Sequence, residues 1–176
     1  MRIVLIVAQS LDGFITRHSE PGAEWTSPAD KKWFRESLGQ FDAQVMASKT
    51  YATVRERILQ ENCPAPFRMI MTRQPDQFAD DQIPGKLEFS SAEPASIRDR
   101  LINAGCHACA LLGGATAHDA FLATELVDEM WVTIEPRIFG TGTPVVAKRQ
   151  DRELVLIDSQ RLPKSDSVVL KYRIRS

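Results

Sequence analysis

One stretch constrains this chain more than any other: Ala108-Cys109-Ala110-Leu111-Leu112-Gly113-Gly114-Ala115-Thr116, continued by a helical pattern to Leu122. A short apolar run stops at two glycines and a helix begins at once. Backbone N–H groups and the positive end of a helix dipole then face whatever lies at the strand's C-terminal edge. Open α/β sheets bind their ligands at that edge. By itself the pattern has two readings, a tight turn or a phosphate cradle.

The totals narrow the field. With 176 residues, 43% hydrophobic and 26% charged, residues 1–176 read as one globular domain with a sizeable core. Twenty-two basic against twenty-three acidic side chains leave a formal charge of -1, so no global field recruits nucleic acid or anionic lipid. An anionic ligand has to be held locally. The apolar run from Ile3 is broken by Gln9, Ser10 and Asp12, too early for a signal-peptide core or a membrane span, and reads as the first strand of a cytoplasmic protein. Cys63, Cys106 and Cys109 are an odd number and form no disulfide framework. The Cys106/Cys109 spacing leads into an apolar strand with no second ligand pair, which favours buried thiols over a redox pair or zinc site, and no metal is expected. His18 and Glu20 match a fragment of the zinc deaminase signature, but the Pro-Cys step is missing and the match is put down to chance.

Along the chain, apolar runs and helical patterns alternate. Ile3 to Ala8 predicts a central strand, Asp12-Gly13 a turn, and Thr16 to Glu24 a polar loop able to cover a site. Ser27, Pro28 and Asp30 occupy the N-cap, first and third positions of a helix to about Leu38, a capping-box start in which the Asp30 carboxylate serves the cap. A strand over Phe41 to Met46 feeds a helix from Ser48 toward Leu59, and Ser48, Lys49 and Thr50 form a second possible phosphate turn. Pro64 and Pro66 precede a strand over Phe67 to Met71, with Arg73 at its C-terminal edge. Residues Pro75 to Pro84 read as surface loop and Lys86 to Phe89 as a short strand. Pro94 to about Ala104 reads as a helix with Ile97, Leu101 and Ile102 on one face. Val127 to Ile134, Glu153 to Ile157 and Val168 to Ile174 read as further strands, the last carrying a basic, solvated face as an antiparallel edge does. The fold class is α/β: a three-layer α/β/α domain, mostly parallel, with antiparallel C-terminal edge strands.

Together these pieces resemble a known family. Ser10-Leu11-Asp12-Gly13-Phe14-Ile15, Asp42-Ala43 with Met46 and Thr50-Tyr51, Leu112-Gly113-Gly114, Leu126-Val127-Asp128-Glu129, and Pro136 with Phe139-Gly140-Thr141-Gly142-Thr143-Pro144 are similar to the reductase domain of the bifunctional riboflavin-biosynthesis deaminase-reductase. That domain is dihydrofolate reductase-like. The match runs from Ile3 to about Pro144, and its order is more specific than any one motif. Trp25, Pro28, Ala29, Asp30, Trp33 and Phe34 also resemble the dihydrofolate reductase segment that carries its active-site carboxylate, which falls on Asp30. Thr133 falls on the threonine hydrogen-bonded to it.

What the resemblance implies is an NADPH-dependent reductase similar to 5-amino-6-(5-phosphoribosylamino)uracil reductase, with Asp30 and Thr133 managing the proton. Ala8, Gln9 and Ile15 would border the nicotinamide, and Ser48, Lys49 and Thr50 would hold the pyrophosphate. Thr72, Arg73 and Gln74 would meet the adenosine ribose and 2′-phosphate. Leu112, Gly113, Gly114, Ala115 and Thr116 would pass under the cofactor, with a cis Gly113-Gly114 peptide. Trp25, Phe34 and His118 would contact a small-molecule substrate, and the family implies a homodimer. The departures are Ala47 where a glycine is usual, His118 in place of an aromatic hydroxyl, and Pro66 where dihydrofolate reductase has an arginine for the folate tail, Arg68 standing two positions late. Alternatives are a reductase of dihydrofolate or another pterin, and a non-catalytic nucleotide-binding protein on the same fold.

Overall fold

A computed structural model describes residues 1–60 and 66–175. Cys63 and Pro64 lie outside the described residues. The chain lays down β1 (Arg2–Ser10), α1 (Pro28–Leu38), β2 (Ala43–Ala47), α2 (Ser48–Leu59), β3 (Phe67–Met71), β4 (Leu87–Ser90), α3 (Pro94–Asn103), β5 (Ala108–Leu111), α4 (Ala115–Ala123), β6 (Glu129–Glu135), β7 (Leu154–Arg161) and β8 (Val168–Ile174). One sheet holds all of these strands in the order β4-β3-β2-β5-β1-β6-β8-β7. The first six in that order pair in parallel and the last two antiparallel. The α/β class and the antiparallel C-terminal strands agree with the sequence.

The register decides what each face carries, because side chains alternate along a strand. Val4 and Ile6 of β1, Ala110 of β5 and Trp131 of β6 share one face with Phe41, and Trp33, Phe34 and Leu38 of α1 pack on them. Met46, Ile70 and Phe89 continue that face beneath Tyr51, Val54 and Ile58 of α2. Leu112 touches both clusters and so lies at the seam between α1 and α2. Ile3, Leu5, Val45, Cys109 and Leu111 face the other way, toward Ile97 and Leu101 of α3 and Ala117, Phe121 and Leu122 of α4. The nearly continuous apolar sequence of β1 is what a strand covered on both faces requires.

Four local expectations need correction. The last strand is not the edge: β8 lies between β6 and β7. Its basic face is partly roofed, since Val169 is fully buried and Lys171 Nζ sits 4.8 Å over the Trp131 ring and 3.1 Å from Asp158. The stretch from Pro75 contains a 3-10 turn to Asp81 that is tied inward: Phe78 stacks on Phe89 at 4.7 Å, and buried Asp81 accepts the Tyr51 hydroxyl and a forked pair from Arg55. Ile97 and Leu101 are one helical turn apart and buried, whereas Ile102, one step further round, is 43% exposed. Finally, the capping box at α1 is only half formed. Ser27 Oγ accepts from the Asp30 amide at 3.1 Å, but the Ser27 amide donates to Glu135, not to Asp30. Cys106 and Cys109 are free and buried, as their apolar context predicts.

Candidate active site

The two turns singled out as phosphate cradles are stitched together. Leu112 N donates to Val45 O at 2.8 Å, and Ala47 N donates to Gly113 O at 2.7 Å, so the β5–α4 turn lies against the β2–α2 turn. The Gly113-Gly114 peptide is cis, as the resemblance implied. Gly113 has φ +98°, and a Cβ there would stand 3.1 Å from His118 Nε2, so both its conformation and its surroundings demand glycine. Neither α2, with Ala47 at its N-cap, nor α4, with Gly114 there, has a side-chain cap. Two sets of first-turn N–H groups therefore sit side by side at the C-terminal edge of the sheet. Thr50 Oγ1 would be 3.5 Å from a Cβ on Gly114, which puts its hydroxyl between the two turns. Ser48 is half-buried, and Lys49 and Thr116 are exposed around them. Thr72, Arg73 and Gln74 leave β3 at the same edge; Thr72 N holds Ser90 O at 2.9 Å, Thr72 Oγ1 accepts Gln74 N, and Arg73 is exposed. Adjacent uncapped amides, the hydroxyls of Ser48 and Thr50, and the cations Lys49 and Arg73 are a donor set that fits the phosphates of a dinucleotide.

Asp30 stands on the first turn of α1, 5% exposed. Thr133 is fully buried in β6 and registers with Ala8 of β1. Ala8 and Thr133 share the α1 face of the sheet, two residues on from Ile6 and Trp131. Among the described residues the Thr133 hydroxyl closes no hydrogen bond of ordinary geometry, yet it and Thr26 stand near enough to favour the ionised Asp30 carboxyl. Burial outweighs them and raises the carboxyl above its usual range, with repulsion from Glu135 acting the same way and Lys31 acting against. Burial thus favours the protonated form of a carboxyl that stands beside a buried hydroxyl, an arrangement able to pass a proton to a bound group.

Two of the motifs that carry the resemblance hold each other. The Asp12 carboxylate accepts the Ser10 hydroxyl at 2.6 Å and the amides of Gly140, at 2.7 Å, and Phe139. The Ser10 hydroxyl is the main cause that holds Asp12 below the ordinary aspartate range, with the Gly140 and Phe139 amides adding to it. Ile15 N donates to Thr143 O, Thr143 N to Thr16 Oγ1, and His18 Nδ1 meets Thr141 Oγ1 at 2.9 Å. The polar loop after Ile15 is thus pinned to the glycine-rich turn, with Trp25 edge-on to Phe139 at 5.0 Å and its Nε1 without a partner among the described residues.

Some expected neighbours are not brought together. Gln9 alternates to the face opposite Ala8, so only its main chain borders the Asp30 side. Phe34 is half-buried against the core cluster of Val4, Ile6 and Trp131. His118, expected beside a substrate, is fully enclosed on α4 across the sheet. Its Nδ1 meets Val145 O at 2.8 Å, so that nitrogen carries the proton and Nε2 points at Gly113 without one; burial pushes the imidazole pKa down. Arg68 is buried and donates to Gln44. Glu135 was missed altogether, although it is 1% exposed and bonded to the helix that carries Asp30. Its only sequence signal is an acid that follows the mostly apolar run Met130 to Ile134. Among the described residues no group of three His, Cys, Asp or Glu could hold a metal, and no helix is long and apolar enough to cross a membrane.

Comparison with known proteins gives a consistent neighbourhood. A protein from Shewanella sp. PV-4 assigned to riboflavin biosynthesis superposes with a TM-score of 0.73 at 22% identity, covering 100% of both chains. A pyrimidine reductase-like protein from Corynebacterium diphtheriae gives 0.79 at 16% identity, over 99% of this chain and 92% of its own. A diaminohydroxyphosphoribosylaminopyrimidine deaminase/5-amino-6-(5-phosphoribosylamino)uracil reductase from Thermotoga maritima gives 0.78 at 17% identity, over 99% of this chain but 56% of its own. At these identities the superpositions establish the shared fold. No curated protein matches the sequence. The profile of the RibD C-terminal domain matches residues 2–168, nearly the whole chain, and the chain therefore belongs to the RibD C-terminal domain family.

Proposed function

We propose that this chain is a reductase of the riboflavin-pathway type that uses NADPH to reduce a C=N or C=O bond in a pyrimidine- or pterin-type substrate. The observation that carries the reading is the pair of uncapped helix N-termini, at Ser48 and Ala115, joined by the Ala47–Gly113 hydrogen bond at 2.7 Å. Ser48, Lys49 and Thr50 would hold the pyrophosphate, Gly113 to Thr116 would pass beneath it, and Thr72, Arg73 and Gln74 would take the adenosine end, with Arg73 meeting a 2′-phosphate. Ala8 and Ile15 would flank the nicotinamide, which when bound supplies a hydride. Asp30 would give its proton to the substrate nitrogen or oxygen, oriented by Thr133, while Trp25 contributes an indole N–H that has no partner among the described residues. A cytoplasmic homodimer is part of the same reading. Leu154, Leu156 and Ile157 of β7, each more than 40% exposed, offer a second copy an apolar face.

Reduction of dihydrofolate or another pterin is a second reading, favoured by Asp30 with Thr133 and opposed by Pro66 and by the engagement of Arg68 with Gln44. The test is fluorescence titration with NADPH and NADH, followed by cofactor oxidation with a ribosylaminopyrimidine and with dihydrofolate. Saturable NADPH binding and turnover of the ribosylaminopyrimidine are expected. Turnover of dihydrofolate alone would select the second reading, and binding of neither nucleotide would exclude both.

A further inference from the structure

Glu135 closes β6 at 1% exposure, and the mechanism above leaves it without a task. Its Oε1 accepts the Ser27 amide at 3.1 Å and the Ser27 hydroxyl at 2.8 Å. Ser27 Oγ has one proton to give, and giving it to Glu135 leaves its lone pairs for the Asp30 amide at 3.1 Å and the Ser167 hydroxyl at 3.2 Å. Ser167 in turn receives from the Ser165 hydroxyl at 2.8 Å, while its amide donates to Ser165 Oγ. The donor inventory allows these hydroxyls one consistent direction, Ser165 to Ser167 to Ser27 to Glu135, ending on a carboxylate acceptor. This chain joins the β7–β8 turn, the end of β6 and the first turn of α1.

An N-cap serine needs no carboxylate beneath it, and two buried acids near one another are unfavourable unless a cation lies between. The charged groups acting on Asp30 are Glu135 from β6 and Lys31 from its own helix; Thr26 before the helix and Thr133 on β6 are neutral. Lys31 is turned away, with its Nζ on the Glu24 carboxylate at 2.8 Å and on the Glu24 carbonyl.

We propose that Glu135 is a positioning residue for Asp30, fixing through Ser27 where that carboxyl stands and placing a second carboxylate beside it. This rests on the reading of Asp30 as the proton donor. When Asp30 gives its proton to the substrate it is left as a carboxylate, and repulsion from Glu135 favours its taking a proton back from solvent.

Glu135→Gln separates the two parts, because the amide oxygen can still accept both Ser27 bonds while the charge is gone. The probe is the Asp30 side-chain carboxyl carbon, followed by NMR through a pH titration of the full chain without cofactor or substrate. The expected result is a titration midpoint at lower pH in Glu135→Gln, with the amide spectrum of α1 retained. Glu135→Asp, which withdraws the charge by one methylene, gives a smaller shift in the same direction and serves where the glutamine variant does not fold. Ser27→Ala leaves the charge and speeds amide exchange in the first turn of α1. An unmoved Asp30 midpoint in folded Glu135→Gln or Glu135→Asp overturns the proposal. Because the titration involves no nucleotide, that outcome leaves the reductase reading standing, and a failure to bind NADPH leaves this one standing.

Discussion

Ser27 Oγ donates a 2.8 Å hydrogen bond to Glu135 Oε1, across 108 residues of sequence. Asp30 is therefore not needed as the cap partner of its own helix, and its carboxyl is left to Thr26 and Thr133.

The charge state of Asp30 predicts a stability signature. Burial raises its folded-state pKa above the ordinary aspartate range, so at pH values between the unfolded and folded pKa the native state keeps a proton that the unfolded chain has released. Stability from this group is fully present below the unfolded pKa and falls as pH rises through the folded one. Asp30→Asn removes that fall. Urea unfolding is expected to show the variant more stable than the parent at neutral pH, with the difference vanishing at acid pH, while turnover drops by about 100-fold or more. A variant less stable at neutral pH would mean that the carboxylate is structural.

Asp12 behaves oppositely. Its carboxyl is held low, first by the Ser10 hydroxyl and then by the amides of the glycine-rich turn, so its contribution is present above the ordinary aspartate range and is lost as pH falls. Asp12→Ala is expected to speed hydrogen exchange at the Phe139 and Gly140 amides while leaving β1 protected. Unchanged exchange at those two amides would mean that the turn holds its shape without the clamp.

Tyr51 carries one of the motifs of the resemblance, and its contacts are structural. Its ring packs edge-on to Phe89 at 5.1 Å, its hydroxyl donates to Asp81 at 2.8 Å, and burial with Asp81 beside it pushes the phenol pKa to about 12. Tyr51→Phe is expected to cost about 1 kcal/mol in urea unfolding. Asp81→Ala costs more, about 2 kcal/mol, because it strands the buried hydroxyl as well as half-exposed Arg55. Equal costs for the two would show that the arginine fork adds nothing.

These findings divide along chain distance. The Gly113-Gly114 turn, the Ser27–Pro28 helix start and the α2 N-terminus were legible because each is written in a few adjacent residues. The resemblance added the cis peptide, and the register of β1 with β6 brought Ala8 beside Thr133. What could not be read are pairings fixed by topology: Glu135 under Ser27, Asp12 on Gly140 128 residues away, and Asp81 under Tyr51. The strand order at the C-terminal end was hidden for the same reason. The alternation in β8 gives a basic face, but only the sheet shows that Lys171 lies over Trp131.

A dinucleotide lying with its phosphates across the joined N-termini of α2 and α4 would shift their backbone amides during an NADPH titration. Saturable shifts are expected at Ser48, Lys49, Thr50, Gly114, Ala115 and Thr116, with Arg73 responding to NADPH and not to NADH. Shifts that leave those two helix starts unmoved, or no saturable shift with either nucleotide, would contradict that placement.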